Sequence, residues 1–321
     1  MVRKLKIGLA LGSGGAKGFA HIGVLKVLHK HKIYPDYIAG TSMGAVIGAA
    51  YAAGRTPDDI AHFATSTDWK DIMDFTVPKS GLLQGKKVVD RINQLVSNKN
   101  FEQLELPLGV VTYNLNTNQS VVFSKGSVTQ AVRASISIPG VFSPVKIGKN
   151  YYIDGGVADP TPFNVVREMG ADIIIAVDLY HRDKIVKGSK VKSKSFYDEL
   201  KEKFVITELK EIKKLIIPAN WPSFLRKISN WLFDKLLYPA RVIRIMSGRE
   251  LPKIAKVTNN AIDILLNNLA QEKLDHGNVD IIVSPHFGHL GWTDFNHIEE
   301  FIKLGEKAMN DKVKLLKKKI R

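Results

Sequence analysis

The chain contains no cysteine. That removes disulfides, thiolate metal sites and a cysteine nucleophile from consideration. Long apolar runs are also missing. The N-terminus, MVRKLKIGLALGSGGAKG, imitates a signal peptide with a basic start and an apolar stretch. Yet the run Ile7–Leu11 breaks at once into glycines, Lys17 and His21, so it reads as a buried first strand. No other stretch is long enough to span a bilayer, and the expectation is a cytoplasmic protein. Acidic residues are scarce: 31 Asp and Glu stand against 47 Lys and Arg, a net charge of +16. The excess is concentrated. Residues His181–Glu250 hold 17 basic and 8 acidic side chains, and Lys312–Arg321 hold 6 basic and none acidic, so the remaining body is close to neutral. Such segments seek polyanions. No recognised nucleic-acid motif accompanies the charge, so the expected partner is an anionic lipid surface, met peripherally on the inner face of the membrane, and not nucleic acid.

With 321 residues, 45% hydrophobic and 24% charged, the chain has room for a large core. Its organising stretch is Ile38–Ala50, IAGTSMGAVIGAA. A short apolar run ends at Gly40, Ser42 stands between Gly40 and Gly44, and a small-residue helix pattern follows. This is the strand, sharp turn and helix of a nucleophile elbow. A side chain at the tip of so tight a turn sits in strained backbone, and the positions two before and two after must lack bulk. Ser42 would then project at a helix N-terminus, where free N–H groups favour developing negative charge. The plainer reading is a Gly/Ser turn that only starts a helix, and the elbow pattern alone does not decide between them.

Upstream, a strand over Leu5–Leu11 runs into Gly12-Ser13-Gly14-Gly15-Ala16-Lys17-Gly18 and a helix from about Phe19 to His31. A glycine-rich loop between strand and helix turns backbone N–H groups toward an anion. A Walker loop needs Ser or Thr after the lysine, and Gly18 stands there. The dinucleotide fingerprint needs glycine where Lys17 stands. An oxyanion formed during acyl transfer remains, and it pairs with a serine elbow.

Further on, Thr56 caps a helix with Pro57 in its first turn. Gly81–Lys86 is a break, and Val88–Val96 an amphipathic helix. Leu108–Tyr113 and Gln119–Ser124 are strands paired across a polar turn, and Val128–Ser135 is helical. Phe142–Ile147 and Tyr151–Ile153 form a hairpin around Gly148-Lys149-Asn150. The hairpin delivers Asp154-Gly155-Gly156; a helix starts near Pro160–Pro162 and a strand covers Asp172–Val177. A strand-end Asp before two glycines is cheaply explained as a turn. Beside a serine elbow, Asp154 becomes the candidate general base, because a hydroxyl attacks poorly until a neighbour takes its proton.

Three blocks carry a resemblance: Gly14-Gly15-Ala16-Lys17-Gly18 with His21-Ile22-Gly23-Val24-Leu25, then Gly40-Thr41-Ser42-Met43-Gly44, then Asp154-Gly155-Gly156. In order and spacing they resemble the bacterial patatin-like phospholipases, and Arg133–Gly140 is similar to a segment of those members. The match covers roughly residues 5 to 180. The resemblance implies a three-layer α/β/α sandwich with a largely parallel sheet. It implies a Ser42–Asp154 dyad without histidine and an oxyanion hole from the N–H groups of Gly14, Gly15 and Ala16, to which we add Met43. Gly12, Gly18, Gly40, Gly44, Gly155 and Gly156 would shape the loop and turns. The family usually has arginine where Lys17 stands, which keeps the charge and loses the planar fork. No metal or organic cofactor is implied. The expected function is a lipid acyl hydrolase of phospholipase A or lysophospholipase type. An acyltransferase or thioesterase with the same dyad, or a non-catalytic membrane-surface protein, is the alternative. An ordinary Ser–Asp–His triad would draw on His276, His286, His289 or His297, and His21 reads as a packing or hydrogen-bonding residue.

Past residue 180 the resemblance fades. The whole chain, 1–321, is read as one domain with a basic helical insertion over 181–250. Leu200–Ile217 and a helix after Trp221-Pro222-Ser223 place lysines opposite apolar faces, the composition of interfacial helices. A lid or membrane contact is one use of that pair, and packing or a homodimer is the other. Ile254–Leu269 is a further helix, Val279–Val283 a last strand, and His297–Leu316 a final helix with the basic tail.

Overall fold

The computed structural model describes residues 3–67, 85–180, 227 and 251–320. The insertion helices expected within 181–250, and most of the break expected at Gly81–Lys86, lie outside these residues.

Eight strands form one sheet: β1 (Ile7–Leu11), β2 (Tyr37–Thr41), β3 (Leu108–Asn114), β4 (Gln119–Phe123), β5 (Val145–Ile147), β6 (Asn150–Asp154), β7 (Ile173–Val177) and β8 (Ile281–Val283). The hydrogen-bonded path runs β5-β6-β3-β2-β1-β7-β8, with β4 also on β3. β3, β2, β1, β7 and β8 are mutually parallel, whereas β4 and β6 run antiparallel to β3. The central strands are apolar on both faces because both are covered. Leu9, Leu11 and Ile38 point into one core layer with α1 (Ala20–Lys30), α2 (Met43–Ala52), α3 (Pro57–Ser66), α4 (Lys86–Val96), α5 (Val128–Ser135) and α8 (Ile298–Lys319). Ala10, Ala39 and Ala176 point into the other, with α6 (Phe163–Glu168) and Leu274 of α7 (Leu251–His276). The result is the expected three-layer α/β/α sandwich. β8, beyond residue 250, pairs with β7 and so completes the same sheet.

Element boundaries follow local chemistry. Thr56 caps α3 by a reciprocal capping box with Asp59 (Asp59 N–H to Thr56 Oγ1, 3.1 Å), and Pro57 sits in the first turn. β5 begins at Val145 rather than the expected Phe142, whose ring lies 4.9 Å from the Arg133 guanidinium. α7 is longer than its expected Ile254–Leu269 at both ends. α1 and α8 cross where glycines allow it: a Cβ on Gly305 would fall 1.9 Å from the Ala20 carbonyl oxygen.

One feature of topology positions the site. β2 and β4 both pair with Val110 and Val111, and β4 and β6 both pair with Thr112–Asn114. β2 and β6 therefore share one edge of β3 and meet end to end. β2 finishes with Thr41 opposite Val111, and β6 arrives from the other direction with Asp154 opposite Thr112. The residue after Thr41 is Ser42.

Candidate active site

Ser42 adopts φ 56°, ψ −123°, a left-handed conformation that a residue with a Cβ rarely takes. The two glycines around it are obligatory. A Cβ at Gly44 would lie 2.1 Å from the Leu11 carbonyl oxygen, and one at Gly40 would lie 2.5 Å from the Gly44 backbone. The turn thus presses against the end of β1 and cannot relax outward. Its conformation is held from behind by Ser135, whose hydroxyl accepts the Ser42 N–H (2.8 Å) and donates to the Val111 carbonyl (2.6 Å).

Asp154 is buried and shares the wall of one cavity with Ser42, whose side chain pulls its carboxyl down. Its Oδ1 accepts the Gly156 N–H at 2.8 Å, and its own N–H donates to the Ser137 carbonyl at 3.0 Å. Burial pushes its carboxyl up to about 6, against the opposing pull of the Ser42 and Gly156 hydrogen bonds. Ser42 and Asp154, 112 positions apart in sequence, are therefore brought into the wall of one cavity. Ser135 and Ser137, both fully buried, support one member each. Sequence reasoning noted their segment without giving either a role; a serine every second residue beside a helix end was the available signal.

The glycine-rich loop lies against the elbow. A Cβ on Gly18 would meet the Met43 side chain at 2.3 Å. The N–H groups of Gly14, Gly15 and Met43 meet no acceptor among the described residues. Ala16 differs from expectation. Its N–H donates to the Trp292 carbonyl at 2.7 Å, so this amide is engaged rather than free for an oxyanion. The same carbonyl stands 2.4 Å from where a Cβ on Gly15 would be, and Gly15 has φ +57°. His21 reaches back from α1 and donates its Nε2–H to the Gly12 carbonyl (2.7 Å). Burial lowers this imidazole to about 4, so it is neutral, and it clamps the loop rather than serving Ser42.

Two cavities open on Ser42. One is almost wholly apolar, walled by Phe19, Met43, Ile47, Phe63, Ile92 and Ile136 among others, with Arg91 as its one charged lining residue among the described residues. The other is mixed, with Ser13, Lys17, Asp154, Tyr180, Asp263 and Trp292 in its wall. Tyr180 is buried with its hydroxyl 3.2 Å from Ser13 Oγ, and burial pushes its phenol above its ordinary value. None of His276, His286, His289 or His297 lines either cavity, and all four are exposed. The triad arrangement is not what the fold assembles.

Two lysines of the basic tail lie away from this site. Lys317 Nζ is 3.2 Å from Nδ1 of His31, just after α1, and Lys319 Nζ bonds Asp280, just before β8, at 2.8 Å. Both partners belong to the edge of the sheet where the parallel strands begin, whereas Ser42 follows the end of β2.

A three-layer α/β/α sandwich whose second strand ends in a strained serine between two glycines defines a class of α/β proteins. Residues 9–167 match the family model for patatin-like phospholipases. The chain belongs to the patatin-like phospholipase family. It is 41% identical over 177 residues to the NTE family protein Mb1092c of Mycobacterium bovis, covering 54% of this chain and 49% of that one. A second match, the NTE family protein MT2641 of Mycobacterium tuberculosis, is 28% identical over 308 residues, 94% of this chain and 45% of that one. Patatin-like phospholipase domain-containing protein 6 of Mus musculus is 35% identical over 185 residues, 55% of this chain and 14% of that one. The chain spans about half the length of the mycobacterial relatives it matches. Among solved structures, VipD from Legionella pneumophila superposes with a TM-score of 0.54 at 15% identity, covering 98% of this chain and 67% of that one, which is a likeness of fold.

Proposed function

We propose that the chain is a serine lipid acyl hydrolase, of phospholipase A or lysophospholipase type, in which Ser42 is the nucleophile and Asp154 its base. The observation that carries this reading is a strained Ser42 and a buried Asp154 in the wall of one mixed cavity, with an apolar cavity opening on the same serine. An acyl chain suits the apolar cavity, and a polar leaving group suits the mixed one.

As Ser42 Oγ attacks the ester carbonyl carbon, its proton passes to Asp154. The negative charge on the carbonyl oxygen is stabilised by the free amides of Gly14, Gly15 and Met43, strengthened by the N-terminal end of α2. Collapse expels the alcohol, which takes the proton from Asp154, and leaves an acyl ester on Ser42. Asp154 then draws a proton from water, whose oxygen attacks that ester; the fatty acid departs and the proton returns to Ser42 Oγ. A carboxylate titrating near 6 is better matched to this exchange at neutral pH than one near 4. Losing one oxyanion donor costs on the order of a hundredfold in turnover. Lipid access to this site calls for contact with a membrane surface.

The test is labelling with a fluorophosphonate, followed by mass mapping of the adduct. Modification at Ser42, lost in Ser42→Ala and suppressed in Asp154→Asn, is the expected result. An adduct elsewhere, or a Ser42→Ala variant that still cleaves lipid esters, would refute the assignment.

A further inference from the structure

The family match ends at residue 167, yet both cavities on Ser42 are walled in part by a loop far beyond it. This loop joins β8 to α8, and it supplies Trp292 to the mixed cavity and Phe295 to the apolar one. Gly15, Ser42 and Ile138 line both cavities, so the two meet at the serine. Trp292 stands at this junction. Its carbonyl accepts the Ala16 N–H at 2.7 Å, and a Cβ on Gly15 would fall 3.0 Å from its ring atom Cε3. Phe295 meets Phe19, another wall residue of the apolar cavity, edge to face with ring centres 6.0 Å apart.

Local bonds fix where the two rings stand. Phe287 and Leu290 are buried at the start of the loop, and Phe287 packs on Phe301 of α8 with ring centres 5.7 Å apart. The Asp294 carboxylate accepts the Gly291 N–H at 2.7 Å, and the Asp294 carbonyl accepts the His297 N–H at 3.1 Å. Between these ties the Phe295 N–H donates to the Thr293 carbonyl at 3.0 Å. Trp292 and Phe295 are themselves only half-buried, although large aromatic side chains gain most from full burial. A ring held half-open in a cavity wall offers its surface to whatever fills the cavity.

We infer that Trp292 and Phe295 are specificity-determining residues of this site, with Phe295 reading the acyl chain of the ester and Trp292 its alcohol. The assignment rests on the acyl-hydrolase reading of Ser42, which takes the chain to the apolar cavity and the leaving group to the mixed one. The proposed catalytic groups come from the stretch that the family model matches, and selectivity comes from a loop outside it. A substitution at 292 changes the wall but keeps the backbone carbonyl that holds the Ala16 amide.

The test compares ratios of kcat/KM, in which a loss common to all esters cancels. p-Nitrophenyl octanoate over p-nitrophenyl acetate varies the acyl chain, and benzyl octanoate over ethyl octanoate varies the alcohol. Phe295→Ala is expected to lower the first ratio about tenfold or more and leave the second, and Trp292→Ala to do the reverse. Both variants shifting the same ratio, or neither shifting any, overturns the inference. Where an alanine variant does not fold, Phe295→Leu or Trp292→Leu keeps more of the apolar bulk and is expected to shift the same ratio in the same direction. Chain binding is read apart from chemistry in a Ser42→Ala background, from the fluorescence of cis-parinaric acid. Phe295→Ala is expected to raise its Kd about tenfold and Trp292→Ala to leave it. The reverse pattern, equal effects or no binding overturns the assignment. The expected binding pattern in a protein that cleaves none of these esters would support the role of Phe295 and refute the hydrolase reading alone.

Discussion

Asp154→Asn should abolish turnover and at the same time make the protein more stable at pH 8. Burial holds the Asp154 carboxyl at about 6, against an ordinary value of 3.8. The folded chain therefore binds this proton more tightly than the unfolded chain does. Between pH 4 and 6 it carries more protons than the unfolded state, and stability falls as pH rises through that window. Above pH 6 the penalty is complete and constant. At 1.36 kcal/mol for each tenfold change, the gap between 3.8 and about 6 corresponds to about 3 kcal/mol. Asparagine keeps the shape and the acceptor for the Gly156 N–H but never ionises, so the variant escapes that cost. The figure is an upper bound, since the charged carboxylate also binds Ser42 and Gly156 more strongly than an amide would. The assay is a pair of thermal melts, wild type and Asp154→Asn, at pH 8 and at pH 4.5. The variant should melt several degrees higher at pH 8, and the difference should shrink at pH 4.5, where the wild-type carboxyl is itself mostly protonated. A variant no more stable than wild type at pH 8, with the same difference at both pH values, would refute the claim that Asp154 is a desolvated charge.

The same ionisation governs catalysis: kcat/KM should fall about tenfold per pH unit below pH 6 and level off above it, and a profile flat down to pH 5 would count against Asp154 as base. Gly44→Ala should destabilise the fold by about 2 kcal/mol or more and remove activity, because its Cβ would sit 2.1 Å from the Leu11 carbonyl oxygen in rigid backbone; denaturant titration and ester turnover check both. His21→Gln should lower kcat more than it raises KM, since the lost bond to the Gly12 carbonyl loosens the loop whose amides we propose for the oxyanion; an unchanged kcat would make His21 a packing residue alone. Gly305→Ala should cost stability by a comparable amount at the α1–α8 crossing, 1.9 Å from the Ala20 oxygen, yet leave kcat per folded molecule unaltered, as an active-site titration would show.

Local chemistry was legible in the chain. The apolar runs of β1, β2, β3 and β7, the Thr56 cap and the glycine spacing around Ser42 all encode conformations that depend on a few neighbouring residues, and each appears where its pattern lies. Strand and helix ends moved by a few residues, most clearly at β5 and α7, because those ends are decided by packing. Phe142 lies outside β5 with its ring under the Arg133 guanidinium, a contact that no period of two could signal.

By itself, the sequence determined which residues could carry the chemistry: a serine between glycines, a carboxylate before two more, and a loop rich in free amides. Only the tertiary structure decided which of them meet. Ser42 and Asp154 come to one cavity wall because β2 and β6 abut on one edge of β3, a pairing set by register between segments about a hundred positions apart. The Ala16 amide is taken by the Trp292 carbonyl, and Lys317 and Lys319 are carried to the edge away from the site. Each of these outcomes depends on contacts between distant segments, whose energies come from packing and burial and leave no periodic trace along the chain.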